Sequence, residues 1–209
     1  MYMTFAEQIF SLRILCEKYL QSQQDLYYVF IAFKKAIDRV WHAALWATMK
    51  KYNISTNLIR VIKNLYEKAV LFNSSIGDLF RTTGGVRQGC LLSPILFNIF
   101  LERIMTDALK DHKGAVCIGG RTITDIRFAD DIDGLAEEEE LENLFECLDK
   151  ASTAYGMEIS AEKTKPMTNN TSDINTEIKV NRQKLETVTS FMKVPSLRYS
   201  PGQHRQQQH

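Results

Sequence analysis

The sequence predicts an α+β fold. Amphipathic helical stretches alternate with short strands, and three strand pairs are joined by turn signals, an order that a split βαβ sheet with helices on one face accommodates. At 209 residues, 44% hydrophobic and 24% charged, the chain has the size and composition of one globular domain.

The elements follow in order. Phe5, Ile9, Leu12, Cys16 and Tyr19 recur at helical spacing. After a polar break over Gln21–Asp25, Leu26 to Phe33 is almost continuously apolar and aromatic, which suits a strand buried on both faces. Lys34 to Val40 and His42 to Tyr52 read as helical. Ser55 is the N-cap of a further helix with Leu58, Ile59, Ile62, Leu65 and Tyr66 as its stripe. Val70 to Thr83 reads as a hairpin turning near Gly77 and Asp78. Gly84, Gly85 and Gly89 mark a loop, then Ser93 as cap and Pro94 as first residue open a helix to about Leu109. Gly119-Gly120 joins two strands. Glu137 to Tyr155 is a helix with stripe Leu141, Leu144, Phe145 and Leu148, stopped by Gly156. Short strands are expected at Met157–Ile159 and Lys165–Met167, and a last hairpin over Glu177–Val188. Residues 192–209, rich in Gln and His without apolar period, read as a disordered tail after a domain of residues 1–191.

Several function classes are disfavoured. No apolar run reaches the ~20 residues of a membrane span, and the N-terminus lacks the pattern of a secretory signal. The expectation is an intracellular protein, nuclear or cytoplasmic, with no membrane partner. Cys16, Cys90, Cys117 and Cys147 are scattered and without a CxxC, so reduced thiols are expected. The net charge of +1 gives no strong electrostatic footprint for nucleic acid.

Two local patterns carry chemistry. Phe128-Ala129-Asp130-Asp131 places adjacent carboxylates between strand-like segments. At the tip of a hairpin such a pair suits a hard divalent cation such as magnesium, which binds one or two carboxylates together with substrate phosphates. The same dipeptide also suits an ordinary polar turn. The glycine loop running into the Ser93 helix offers backbone N–H groups and Arg87 to a phosphate or base pair, and equally suits a tight connector. A calcium loop over Ala129–Glu140 is a third reading, with Asp131, Asp133, Gly134 and Glu140 at positions 3, 5, 6 and 12. Its first position is Ala129, which has no ligating atom, and it needs a helix where Thr122–Phe128 is β-branched.

Four blocks in order, LYYVFIAFKKAIDRVWH, GGVRQGCLLSPILFNIFLE, IRFADDIDGLA and GMEISAEKTK, resemble the reverse transcriptases of non-LTR retrotransposons over roughly Phe5 to Phe191. The resemblance implies a polymerase palm, a ferredoxin-like antiparallel sheet with helices behind it. It implies RNA-directed DNA synthesis with two Mg2+ ions, an RNA template, a DNA primer and deoxynucleotides. Asp130 and Asp131 match the family's metal-binding pair. Arg87, Gln88 and Gly89 match the loop that contacts template and incoming nucleotide. Lys163 matches the lysine proposed to assist the pyrophosphate leaving group, a role suited to a point-charge phosphate donor.

This sequence departs from that pattern at two positions. Ala32 stands where the family places its third metal carboxylate, and Ile37 where it places the aromatic gate against ribose. Asp25 lies seven residues before Ala32, about 23 Å along an extended strand, and Asp38 matches its own, non-ligand family position. A methyl group cannot coordinate magnesium, and a lost bridging ligand costs several kcal/mol of metal and transition-state stabilisation. An inactive or impaired polymerase is therefore expected, with a non-enzymatic nucleic-acid-binding remnant as the alternative. The family's fingers and thumb are not matched here, so weak grip on a template–primer and poor solubility are also expected.

Overall fold

A computed structural model describes residues 5–67, 71–72, 75–76, 83–110, 112, 116–118, 120–169, 179–180, 183–186, 191–194 and 197–199. Its centre is a four-stranded antiparallel sheet of β1 (Tyr27–Ile31), β6 (Asp125–Phe128), β7 (Asp131–Ala136) and β8 (Lys165–Thr168), in the order β6-β7-β1-β8. Counting only these strands along the chain, the order is 2-3-1-4. That is the ferredoxin-like arrangement, with a hairpin inserted beside the first strand. The sheet's centre is fixed by β1, whose YYVFI is buried at every position. A strand covered on both faces needs such continuous apolarity.

Side chains alternate across the sheet. Val29 and Ile31 join Ile132 on the face covered by α4 (Ser93–Ala108) and α5 (Glu138–Ala154), where Phe97, Phe100, Ile104, Leu144 and Phe145 complete the main core. Gly134 belongs to this face too, since a Cβ there would lie 3.2 Å from Leu144 and 3.3 Å from Val29. The expected stripe of α5, Leu141, Leu144, Phe145 and Leu148, is buried throughout. Gly156, at φ +77°, ends that helix. The helices α2 (His42–Lys51) and α3 (Thr56–Glu67) extend this core through Leu45, Met49, Ile59 and Ile62.

The opposite face is covered in part by α1 (Phe5–Gln21). Leu12, Leu15 and Cys16 pack there with Leu26, Tyr28, Ile126, Leu135 and Met167. Helices thus stand mainly behind the sheet, with this one in front.

Smaller pairings complete the chain. β2 (Leu71–Phe72) pairs with β3 (Ser75–Ile76). The expected turn at Gly77 and Asp78 lies outside the described residues. β4 (Val116–Ile118) pairs with β5 (Arg121–Ile123) around the Gly-Gly signal, and β9 (Lys179–Val180) with β10 (Gln183–Lys184). The expected strand at 157–159 is only a single bridge, Ile159 to Phe33. Within the stretch expected as a tail, β11 (Phe191–Val194) pairs with β12 (Leu197–Tyr199). No described helix is long and apolar enough to cross a membrane.

Candidate functional site

The Asp-Asp pair lies at the bend of the β6–β7 hairpin. Phe128 pairs with Asp131, leaving Ala129 and Asp130 as a two-residue turn. Ala129 holds φ +53°, a left-handed conformation that a hairpin turn of this length demands. Asp131 opens β7 and shares a face with Asp133 and Leu135, away from α4 and α5.

Ala32 follows β1 directly. Ile31 pairs with Ile132, so one further step of the same antiparallel register sets Ala32 opposite Asp131. By alternation both lie on the face that β1 shares with Tyr28 and Phe30. A buried methyl, 8% exposed, occupies the position across from Asp131.

The backbone of Ala32 is held from its other side. Its N–H donates to Thr164 Oγ1 at 3.4 Å, and its carbonyl accepts from the Ser160 N–H at 2.8 Å. The Thr164 N–H returns to the Ser160 carbonyl at 2.9 Å, closing the turn that carries exposed Lys163. This turn is fixed further by Glu158. Its carboxylate pairs with Lys34 and with Arg39, each at 2.6 Å. The Lys34 ammonium, foremost, holds that carboxyl below its usual range. Lys163 is thereby brought beside the end of β1.

The glycine loop is stitched to the turn after β1. Gly85 N–H donates to Val40 O and Val86 N–H to Ile37 O, both at 2.9 Å. Gly85 has φ +87°, and a Cβ there would lie 3.2 Å from the Asp38 carbonyl oxygen, so glycine is required twice over. His42 Nε2 lies 2.7 Å from Gly85 O, and its ring meets Tyr66 edge-on at 5.3 Å. The Arg87 guanidinium stands 5.5 Å from the centre of the Tyr66 ring. Ser93 donates its hydroxyl to Arg87 O at 2.5 Å. This is a departure from the expected N-cap: Ser93 is already the first residue of α4, and its hydroxyl fixes the preceding loop instead.

A cleft of about 1630 Å³ runs between the glycine loop and the β6–β7 hairpin. Ile37, Arg87, Gln88 and Gly89 line it, and it reaches the hairpin at Phe128 and Ala129, one residue short of Asp130. Phe10 and Ile14 of α1 form part of its wall. Five of the sequence-predicted residues thus converge: Arg87, Gln88, Gly89 and Ile37 in the cleft, and Asp130 at its edge. Asp131 lies next to Ala32, and Lys163 on the far side of β1.

The chain matches the reverse transcriptase (RNA-dependent DNA polymerase) family over residues 2–203. It is a member of the reverse transcriptase family. The chain is 30% identical over 108 residues to a Pol polyprotein of a type-1 retrotransposable element R2 from Popillia japonica, which covers 50% of the chain and 18% of that relative. It is 27% identical over 170 residues to a transposon TX1 149 kDa protein of Xenopus laevis, covering 77% of the chain and 13% of the relative. The chain thus spans less than a fifth of these relatives. Among solved structures, a Candida albicans telomerase in complex with a fragment of telomeric RNA superposes with a TM-score of 0.62 at 13% identity, covering 89% of this chain and 33% of that one. A Candida tropicalis telomerase gives 0.54 at 21% identity, covering 93% and 34%. These two likenesses are of fold.

Reverse transcriptases generally use divalent metal ions. The residues present in this chain do not fit a two-ion site. Among the described residues, no group of three or more His, Cys, Asp or Glu could hold a metal. The nearby acids are committed elsewhere. Asp125 pairs with Arg127 at 2.5 Å, and Asp133 is buried and accepts from Gln8. Asp38 sits in the turn packed against Gly85, and Asp25 lies before the opposite end of β1. The calcium-loop reading is overturned, because β6 occupies the place where the loop needs a helix.

Sequence reasoning passed over Gln8 and His42 as site residues, read Tyr66 only as part of an apolar stripe and Asp133 only as a calcium-loop position. For Gln8 a signal existed: it falls four residues before Leu12 and eight before Cys16, inside a buried stripe.

Proposed function

We propose that residues 1–191 carry the palm of an RNA-directed DNA polymerase of non-LTR retrotransposon type, whose catalytic step is lost or severely impaired because Ala32 replaces a metal carboxylate. The carrying observation is the register of Ile31 with Ile132, which sets Ala32 across from Asp131 on one face of the sheet. The family's reaction needs two Mg2+ ions to activate a primer hydroxyl and neutralise the departing pyrophosphate. Asp130 and Asp131 are the acids positioned for such ions, and two adjacent acids with a methyl opposite do not hold a pair of them.

The rest of the site supports the same reading. Arg87, braced on Tyr66 and fixed through Ser93, presents a cation in the cleft that Ile37 also lines, where a template base or a nucleotide phosphate would lie. Ile37 offers only an aliphatic wall for the sugar. Lys163, exposed on the turn held by Ala32, is a point-charge donor for a leaving phosphate. An RNA template, a DNA primer and deoxynucleotides are the partners this geometry suits.

A primer-extension assay on an RNA template tests the reading. The parent chain should give no Mg2+-dependent product, and Ala32→Asp should gain product above the parent. Robust synthesis by the parent would overturn it.

A further inference from the structure

Gln8 on α1 is fully buried, at 0% exposure. Its amide nitrogen donates to Asp133 Oδ2 at 2.9 Å, to Ile126 O at 3.3 Å and, more weakly, to Asp131 O at 3.5 Å. The acceptors fix which way the amide faces, since a carboxylate and two carbonyls need a donor. Its own oxygen, Oε1, is left buried with no hydrogen-bond partner among the described residues. A buried acceptor left unpaired is unfavourable, and an apolar side chain of similar length would avoid it. The donor end supplies what apolar packing cannot, hydrogen bonds to three oxygens of the hairpin.

Ile126 on β6 and Asp133 on β7 are a cross-strand pair, and Asp131 is one of the two acids at the bend. β6 is the edge of the central sheet, bonded to β7 alone within it. One side chain from a helix thus grips both strands of the hairpin from the face on which Asp131 and Ala32 lie.

We propose that Gln8 is a positioning residue that clamps the β6–β7 hairpin and so sets where Asp130 and Asp131 stand. The proposal deepens the polymerase reading, because it takes the hairpin tip as the metal-facing element. Its test does not depend on that reading.

The test is hydrogen–deuterium exchange on the full chain, comparing amides of 125–136 with those of β8 and α5. Gln8→Met keeps length and volume but removes the donors. It should raise hairpin exchange about tenfold and leave β8 and α5 within about twofold. Gln8→Glu, which faces one carboxylate with another, should loosen the hairpin as well. Adding Asp133→Asn to it restores one donor–acceptor pair but no donor to the Ile126 and Asp131 carbonyls, and should recover part of the protection. The proposal is overturned if Gln8→Met leaves the hairpin protected, or if the double variant recovers nothing. It is also overturned if any loss spreads evenly over β8 and α5, the signature of general destabilisation. In the Ala32→Asp background, Gln8→Met should lower kcat for primer extension with little change in KM for the nucleotide. If Ala32→Asp does not polymerise at all, the polymerase reading fails and the exchange result for the clamp stands by itself.

Discussion

Ala32 and Asp131 face each other across β1 and β7, one step beyond the Ile31–Ile132 pair, on the side of the sheet turned away from α4 and α5. Two local structures hold this juxtaposition. The Ser160–Thr164 turn holds the backbone of one residue, and the Ala129–Asp130 bend carries the other.

Gly85→Ala should destabilise the fold by about 2 kcal/mol, since it combines a left-handed backbone with a methyl too close to the Asp38 carbonyl oxygen. Urea unfolding should show a lower midpoint with an unchanged slope. The same change at Gly89, also left-handed but with nothing within 4 Å of its Cβ, should cost less.

The Glu158 carboxyl, held low chiefly by Lys34, links stability to acid. A lowered folded value means that its contribution is complete above the ordinary 4.5 and is lost as pH falls through the folded value. Glu158→Gln should therefore narrow its deficit relative to the parent as pH drops below that point. Melting temperatures of the two proteins across this acid range would check it, and a deficit that grows toward low pH would count against it.

Tyr155 joins α4 to the end of α5. Its hydroxyl donates to Asp107 at 2.7 Å and accepts from Arg103 Nε at 3.0 Å. Burial first, and the bond to Asp107 next, raise its pKa above the ordinary 10.0. The neutral phenol is thus favoured in the fold, and its contribution holds below pH 10.0 and is lost as pH rises through the raised value. Tyr155→Phe should cost about 1 kcal/mol near neutrality. Its deficit should shrink on the alkaline side, as read by chemical denaturation.

Ile37 lies in the cleft, with its carbonyl bonded to Val86 next to Arg87. An aromatic ring there would fill space beside a bound sugar. In an Ala32→Asp background, Ile37→Phe should sharpen preference for deoxynucleotides over ribonucleotides by about tenfold, measured as a ratio of kcat/KM values. An unchanged ratio would show that the sugar does not pass this residue.

The fold was legible wherever a pattern had a single physical meaning. The uninterrupted Tyr27–Ile31 run dictated a central strand, and the Leu141–Leu148 stripe dictated a helix against the sheet. The bend at Asp130 followed from strand signals on either side. What escaped was tertiary. Leu58 and Leu65 were expected inside, but α3 turns them outward at 51% and 49% exposure while Ile59, Ile62 and Tyr66 meet the core. Helical spacing marks an apolar face without fixing which edge of it a neighbour covers. The roles of Gln8 and of the Ser160–Thr164 turn depend on contacts more than a hundred residues apart in sequence. No local spacing encodes such contacts.

Whether Ala32 removes one wall of a metal site at Asp130 and Asp131 is tested most directly by a magnesium titration read by thermal unfolding, with ionic-strength-matched controls. Without divalent ions, Ala32→Asp should melt below the parent, because its new carboxylate faces Asp131. Added Mg2+ should raise its melting point saturably, with about 2.7 kcal/mol of stabilisation at a hundredfold excess over Kd, while the parent stays flat. A saturable rise in the parent, or none in Ala32→Asp, would contradict the account.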